Sequence, residues 1–216
     1  MTATFLTIAK NASIEAGIPG TGPASVDSNT GDHAKLIKWI NDAWSFIQEK
    51  NHKKWLFMRA NSSVSTVVDK INYNLTEAGA PDLAYFLNDT IEFDDGLTIQ
   101  VIGPEEWRNQ GFHRSSETGK PTHCLFDNNY IRFHPAPDQV YALTYRYIKE
   151  IQVLTGNTDT PLLPDRYAAV IEYLAAKRYA EYQEDNEKIR QLDYKYFQLL
   201  SKMELKQLPS LAQAGW

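Results

Sequence analysis

The stretch from Leu162 to Leu208 constrains the fold of this chain more than any other, because it reads as two amphipathic helices joined by a short acidic turn. In the second helix Ile189, Leu192, Tyr196, Leu199 and Met203 recur at steps of three, four, three and four. That spacing lays one apolar stripe along a helix, the pattern of a face packed on another helix. In the first helix Tyr167, Ile171 and Leu174 share a line, flanked by Ala168, Ala175, Tyr179 and Tyr182. A hairpin this short, polar on its outer side, needs partners from elsewhere.

Two earlier segments qualify. Residues 3–16 put Phe5, Ile8, Ala9, Ala12 and Ala16 on one face, with Thr2 or Thr4 as cap and Gly17 at the C′ position. Residues 32–51 follow with Asp32 as the expected cap and Leu36, Ile40, Trp44 and Ile47 as the stripe. The expected core is therefore Leu36, Ile40, Trp44, Ile47, Ile171, Leu174, Ile189, Leu192, Tyr196, Leu199 and Met203. Between the two segments, the run IPGTGPASVDSNTG (residues 18–31) has turn chemistry and no period.

From Trp55 to Ile151 the helical period gives way to short β-type runs. Ile91 and Phe93 alternate before Asp94-Asp95-Gly96, whose Asp-Gly step signals a hairpin into Leu97, Ile99 and Val101. Pro104-Glu105-Glu106-Trp107 reads as one helical turn with its acids at the favoured end. A second hairpin joins His123–Phe126 to Tyr130–Phe133, and Val140–Ile148 alternates as a half-buried strand of an antiparallel sheet. The expected fold class is α+β: a four-helix bundle (1–54 and 155–208), an inserted antiparallel β domain (55–154) and an extended C-terminal arm (209–216).

The formal charge of −5 argues against a dedicated nucleic-acid binder, which carries a basic face. A single cysteine, Cys124, excludes an intrachain disulfide scaffold. No apolar run spans a bilayer, and the first residues lack the charged start of a signal peptide, so cytoplasmic synthesis without membrane contact is expected.

Residue chemistry points to no catalytic or metal site and no cofactor. His123 and Cys124 are adjacent in a strand, so they face opposite sides and cannot ligate one ion. His113, His123 and His134 lack zinc-site spacing. The paired acids Glu105-Glu106 and Asp94-Asp95 are explained as first-turn helix acids and a hairpin turn. Gly20-Thr21-Gly22 has neither the preceding strand nor the Lys-Ser/Thr of a phosphate loop. Tyr141, Tyr145 and Tyr147, with Arg132 and Arg146, have the chemistry to stack bases, but packing of a sheet face or subunit boundary explains them better. After Pro209 stops the last helix, Ser-Leu-Ala-Gln-Ala-Gly-Trp follows, and a terminal Trp with Leu211 suits a docking arm as well as a frayed end.

Several phrases together resemble the head-to-tail adaptor (connector) proteins of short-tailed bacteriophages. They are Trp55-Leu56-Phe57, Asp94-Asp95-Gly96, Pro104-Glu105-Glu106-Trp107-Arg108, Gly119-Lys120-Pro121, His134-Pro135-Ala136-Pro137-Asp138 and Leu163-Pro164-Asp165-Arg166-Tyr167. The resemblance implies a virion protein of the tail or neck, forming a homo-oligomeric ring, commonly a dodecamer, between the portal protein ring and the tail nozzle or tail tube protein. Double-stranded DNA would pass its lumen without specific binding. Leu208, Pro209, Leu211 and Trp216 would engage the portal, and loops 18–31 and 110–120 are candidates for contacts between copies. The alternatives are a tail-associated cell-wall hydrolase using Glu105 or Glu106 as acid, and another tail component, a completion or nozzle protein.

Overall fold

The computed structural model describes residues 2–52, 54–127 and 129–209, with the side chains of 88–90 outside that description. The chain divides into two compact units, one of residues 1–58 with 151–216 and one of residues 59–150.

The first unit is helical. Helix α1 (Phe5–Ala16) is capped by Thr4, whose hydroxyl accepts from the Thr7 N–H at 3.3 Å, and ends at Gly17 with φ +78°. That left-handed step, natural for glycine, lets the Gly17 and Ile18 amides return to the carbonyls of Ile14 and Ser13. Helix α2 (Gly31–Lys50) starts one residue earlier than the sequence suggests. Asp32 therefore sits inside the first turn, where it accepts from the Tyr179 hydroxyl at 3.1 Å.

Among the described residues of the second unit the short helix α3 (Pro104–Asn109) accompanies nine strands: β1 (Arg59–Ser65), β2 (Asn72–Asn74), β3 (Leu83–Phe93), β4 (Thr98–Ile102), β5 (Thr118–Gly119), β6 (His123–Asp127), β7 (Tyr130–His134), β8 (Ala136–Pro137) and β9 (Ala142–Lys149). Helices α4 (Ala169–Tyr182) and α5 (Asn186–Gln207) complete the first unit, and the Asp185 carboxylate caps α5 through the Lys188 N–H at 3.0 Å.

This arrangement corrects the expected fold class. The described residues hold five α-helices, and they do not close as a four-helix bundle. Helix α4 is the hub: α1, α2 and α5 each pack along it. Helix α5 meets α1 and α2 through ion pairs, Lys195–Glu15 at 2.7 Å and Lys50–Glu204 at 2.9 Å. Of the two C-terminal helices, then, one is central and the other lies on its flank.

Nor is the sheet antiparallel throughout. Seven strands run in the order β1-β9-β3-β4-β6-β7-β2, and β4 pairs with β6 in parallel. A parallel pair needs a crossover of a dozen or more residues, which the stretch containing α3 supplies. Trp107 of α3, with Phe112, covers Ile102 and Leu125 on one side of these strands. The opposite face carries the main core of this unit, including Tyr73, Ile91, Phe133, Leu143 and Tyr145. Strand β3 is irregular: Phe86 pairs with Tyr147 and Ile91 with Tyr145, so five residues of β3 advance against two of β9. Such bulges bend a sheet. The curled sheet is tied to the loop after β2, where the Tyr145 hydroxyl donates to the Ala78 carbonyl at 2.5 Å and that of Ser62 to the Gly79 carbonyl at 2.8 Å.

In the helical unit, two amides of α2 bind a stretch of chain that has no strand partner. Asn41 exchanges two hydrogen bonds with the Leu154 backbone, at 2.9 and 3.0 Å, and Gln48 does the same with Gln152, at 2.9 and 2.8 Å. Replacing Gln48 by Leu leaves the Gln152 N–H and C=O without those partners. The expected loss is about 2 kcal/mol, from two unsatisfied backbone groups. Urea unfolding checks it, and a loss below about 0.5 kcal/mol, the range of an ordinary surface change, contradicts it.

Candidate functional site

Helix α5 has two apolar faces. Leu192, Tyr196, Leu200, Met203 and Gln207 are buried. On the other face Tyr194, Phe197 and Leu205 are 66%, 57% and 81% exposed. The first set advances by four, four, three and four, which holds one face toward α4. Burial pushes the Tyr196 hydroxyl up to about 12, keeping it neutral. The second set runs into a concavity of about 550 Å³ lined by Ser201, Glu204, Leu205, Leu208 and Pro209. The sequence carries a signal for this outward face as well, since Tyr194, Phe197, Leu205 and Leu208 recur at helical spacing.

The residues expected in the helical core are placed as follows. Leu36, Ile40, Trp44, Ile47, Ile171, Leu192, Tyr196 and Met203 are buried, and Leu174, Ile189 and Leu199 are half-buried. Leu208 and Pro209 are half-buried at the end of α5, while Leu211 and Trp216 lie outside the described residues.

The acidic pairs serve local structure. Glu105 and Glu106 open α3, and Glu106 accepts from Gln110 at 3.1 Å. Asp95 binds Lys120 at 2.6 Å and accepts from the Leu97 N–H, and these contacts, that of Lys120 foremost, hold its carboxyl below the usual value. Cys124 is fully buried, which pushes its thiol up and away from the reactive thiolate. His134 stacks on Phe112 with ring centroids 3.9 Å apart; burial lowers its pKa, against the opposing pull of Glu117 at 3.7 Å. Among the described residues no group of three or more His, Cys, Asp or Glu is arranged to hold a metal ion. No described helix is long and apolar enough to cross a membrane.

The tyrosines of the sheet are partly absorbed in it. Tyr145 and Tyr147 are buried, and the Tyr147 hydroxyl donates to Asp82 at 2.7 Å, whereas Arg146 is exposed and Arg132 half-buried. Gly20-Thr21-Gly22 lies against α1: a Cβ on Gly22, at φ +80°, would come within 2.9 Å of the Lys10 Cα. The same 18–30 connection is pinned by Asn157, which accepts from the Val26 N–H at 2.7 Å and bonds the Ser25 hydroxyl.

One polar seam crosses the helices. Glu172 of α4 is 8% exposed and accepts from Asn11 of α1 at 2.9 Å. Burial raises its pKa, the Asn11 bond lowers it, and nearby Glu15 raises it again. The net direction is upward from the ordinary 4.5.

The family model described as SU10 adaptor protein matches residues 4–214, and the chain belongs to that family. None of the curated proteins compared with it matches. Membership makes the chain a phage adaptor with a structural role in the virion.

Because the folded state holds the Glu172 proton more tightly than the unfolded chain, the stabilising protonated form is complete below about pH 4.5 and is lost as pH rises through the raised folded value. Glu172→Gln is expected to raise Tm at pH 7 and to give no gain at pH 4. Thermal scans at the two pH values check this; an equal change at both contradicts it.

Proposed function

We propose that the chain is a head-to-tail adaptor that forms a closed ring, expected to be twelvefold, between the capsid portal and the tail nozzle or tube. In this reading the ring forms part of the DNA conduit and helps to retain packaged DNA. The observation that carries it is the family match, which runs through the helices and on to residue 214, into the segment beyond Pro209. That segment therefore belongs to the family pattern and is not an appendage to it.

Leu208, Pro209, Leu211 and Trp216 are the proposed portal-binding residues. The last turn of α5 ends at Gln207, and the chain leaves it extended at Leu208 (φ −97°, ψ 141°). Trp and Leu side chains bury large apolar areas in a partner's pocket, the usual source of hot-spot energy. A ring also requires each copy to present two different complementary faces. Loops 18–31 and 110–120 are proposed for these contacts. The net charge of −5 suits a conduit, because a basic lumen would hold DNA phosphates.

Deleting Ser210–Trp216 is expected to leave the fold intact by circular dichroism and to lower affinity for purified portal rings by at least about 30-fold, the loss of one strong anchor of ~2 kcal/mol. Co-sedimentation reads the result. Unchanged co-sedimentation of the truncated protein contradicts the portal-arm assignment.

A further inference from the structure

Two surfaces pair exposed apolar side chains with charges that the fold leaves free, and the two are opposite in sign. The first is an end of the sheet in the second unit. Register Ser65↔Ala142 and Phe93↔Leu143 brings together the end of β1, the end of β3 and the start of β9. There Val67, Val68, Leu97 and Val140 are 53%, 47%, 58% and 65% exposed. Their loops are held in place. The Thr66 hydroxyl donates to the Gln139 carbonyl at 3.1 Å and accepts from the Tyr141 N–H at 2.8 Å, and the Asp69 N–H donates to the Pro137 carbonyl at 2.8 Å. The lysines here are taken up, Lys70 by Glu77 at 2.8 Å and Lys120 by Asp95 at 2.6 Å. Asp69 and Asp94 make no ion pair among the described residues, and Asp138 accepts only from the Tyr141 hydroxyl. The result is an apolar tip with an acidic rim. The second surface, the outward face of α5, is its converse. The acids beside Tyr194, Phe197 and Leu205 are engaged: Asp193 by Lys177 at 2.7 Å, Glu204 by Lys50 at 2.9 Å and Glu187 by the Gln191 amide. Arg190 and Lys202, exposed one turn from Tyr194 and Leu205, make no ion pair among the described residues.

We propose that the acid-rimmed tip of one copy docks on the outward face of α5 of the next copy. Val140 and its neighbours then meet Phe197 and Leu205, with Asp69, Asp94 and Asp138 set against Arg190 and Lys202. An apolar centre inside a charged rim is the usual anatomy of a protein interface. Pairing either surface with itself would place like charges opposite each other, which costs several kcal/mol. Tip on helix is therefore the matched combination, and it is heterologous, the kind of contact that closes a ring. The loops of the tip are already fixed, so docking orders little chain. A handful of side chains on each partner falls short of the roughly 800 Å² that a stable interface buries per partner. The contact accordingly holds once copies are gathered on the portal, where the effective concentration is high. This inference rests on the ring reading above and adds a contact to those of loops 18–31 and 110–120.

Cysteine cross-linking on purified portal rings tests the contact. Cys124 is fully buried, so a short bismaleimide reaches only introduced thiols. Copies carrying Val140→Cys, mixed with copies carrying Leu205→Cys and portal, are expected to give a cross-linked dimer that neither variant gives alone. Asp94→Lys and Lys202→Glu, both at exposed positions, are each expected to lower the dimer yield about tenfold without changing the far-ultraviolet spectrum. Combined in one chain, they are expected to restore it. Dimers from either single-cysteine variant alone overturn the contact, and so does a charge swap that restores nothing. So does a chain carrying both cysteines that links only within itself. Native mass separates this inference from the ring reading. A full ring with no cross-link between residues 140 and 205 removes the contact and leaves the ring standing. Cross-linked dimers without a full ring keep the contact and remove closure, and portal that gains neither mass nor cross-link removes both.

Discussion

The helical unit depends on two side-chain amides standing in for a strand. Asn41 and Gln48 lie seven residues apart, about two turns of α2, and each offers one donor and one acceptor to the backbone of a single residue, Leu154 and Gln152. The indole N–H of Trp44 donates to the Gln152 side chain at 3.2 Å, and the same oxygen accepts from the Leu162 N–H at 3.0 Å. Chain that would otherwise pay for unpaired backbone groups is thereby fixed against α2. Just beyond it, Asp159 gathers the amides of Thr155 and Gly156, and the Asp159 and Asn157 carbonyls receive the first amides of α1. The returning chain thus holds α2 and the start of α1 before it enters α4.

With α4 fixed in this way, α5 needs only one of its faces for the fold. The other stays exposed at Tyr194, Phe197 and Leu205. Ionic contacts on the flank, Lys195 to Glu15 and Lys177 to Asp193 at 2.7 Å, orient α5 while adding little stability at such exposed positions. The apolar contacts to α4 hold the helix; the ion pairs select its alignment.

Much of this was readable in the residues. The 3.6-residue stripes of α1, α2 and α5 and the Gly17 stop are strong local signals, and so is the Asp-Gly turn, where Gly96 takes φ +81°. What escaped depends on contacts distant in sequence. Leu199 continues a heptad from Leu192, but a straight helix drifts about 20° per heptad, and Leu200 takes the buried place. Gln48 looks like a solvent-face residue and is fully buried, because the backbone it binds lies 104 residues away in the sequence. The helical turn at Pro104 was visible, but its role as a crossover that makes β4 and β6 parallel was not. A bundle of four was inferred from four stripes, and stripes do not reveal that α1, α2 and α5 all pack along α4. The resemblance to phage adaptors reached the family; Leu211 and Trp216 lie beyond the residues on which geometry bears.

The central claim is that this adaptor closes as a ring on the portal. Mass measurement by native mass spectrometry, on the protein alone and mixed with purified portal rings, tests it most directly. A monomer alone, and with portal a single complex carrying a full ring of added copies, expected to be twelve, is the predicted result. A portal ring that gains no mass, or gains a variable few copies without closure, would contradict it.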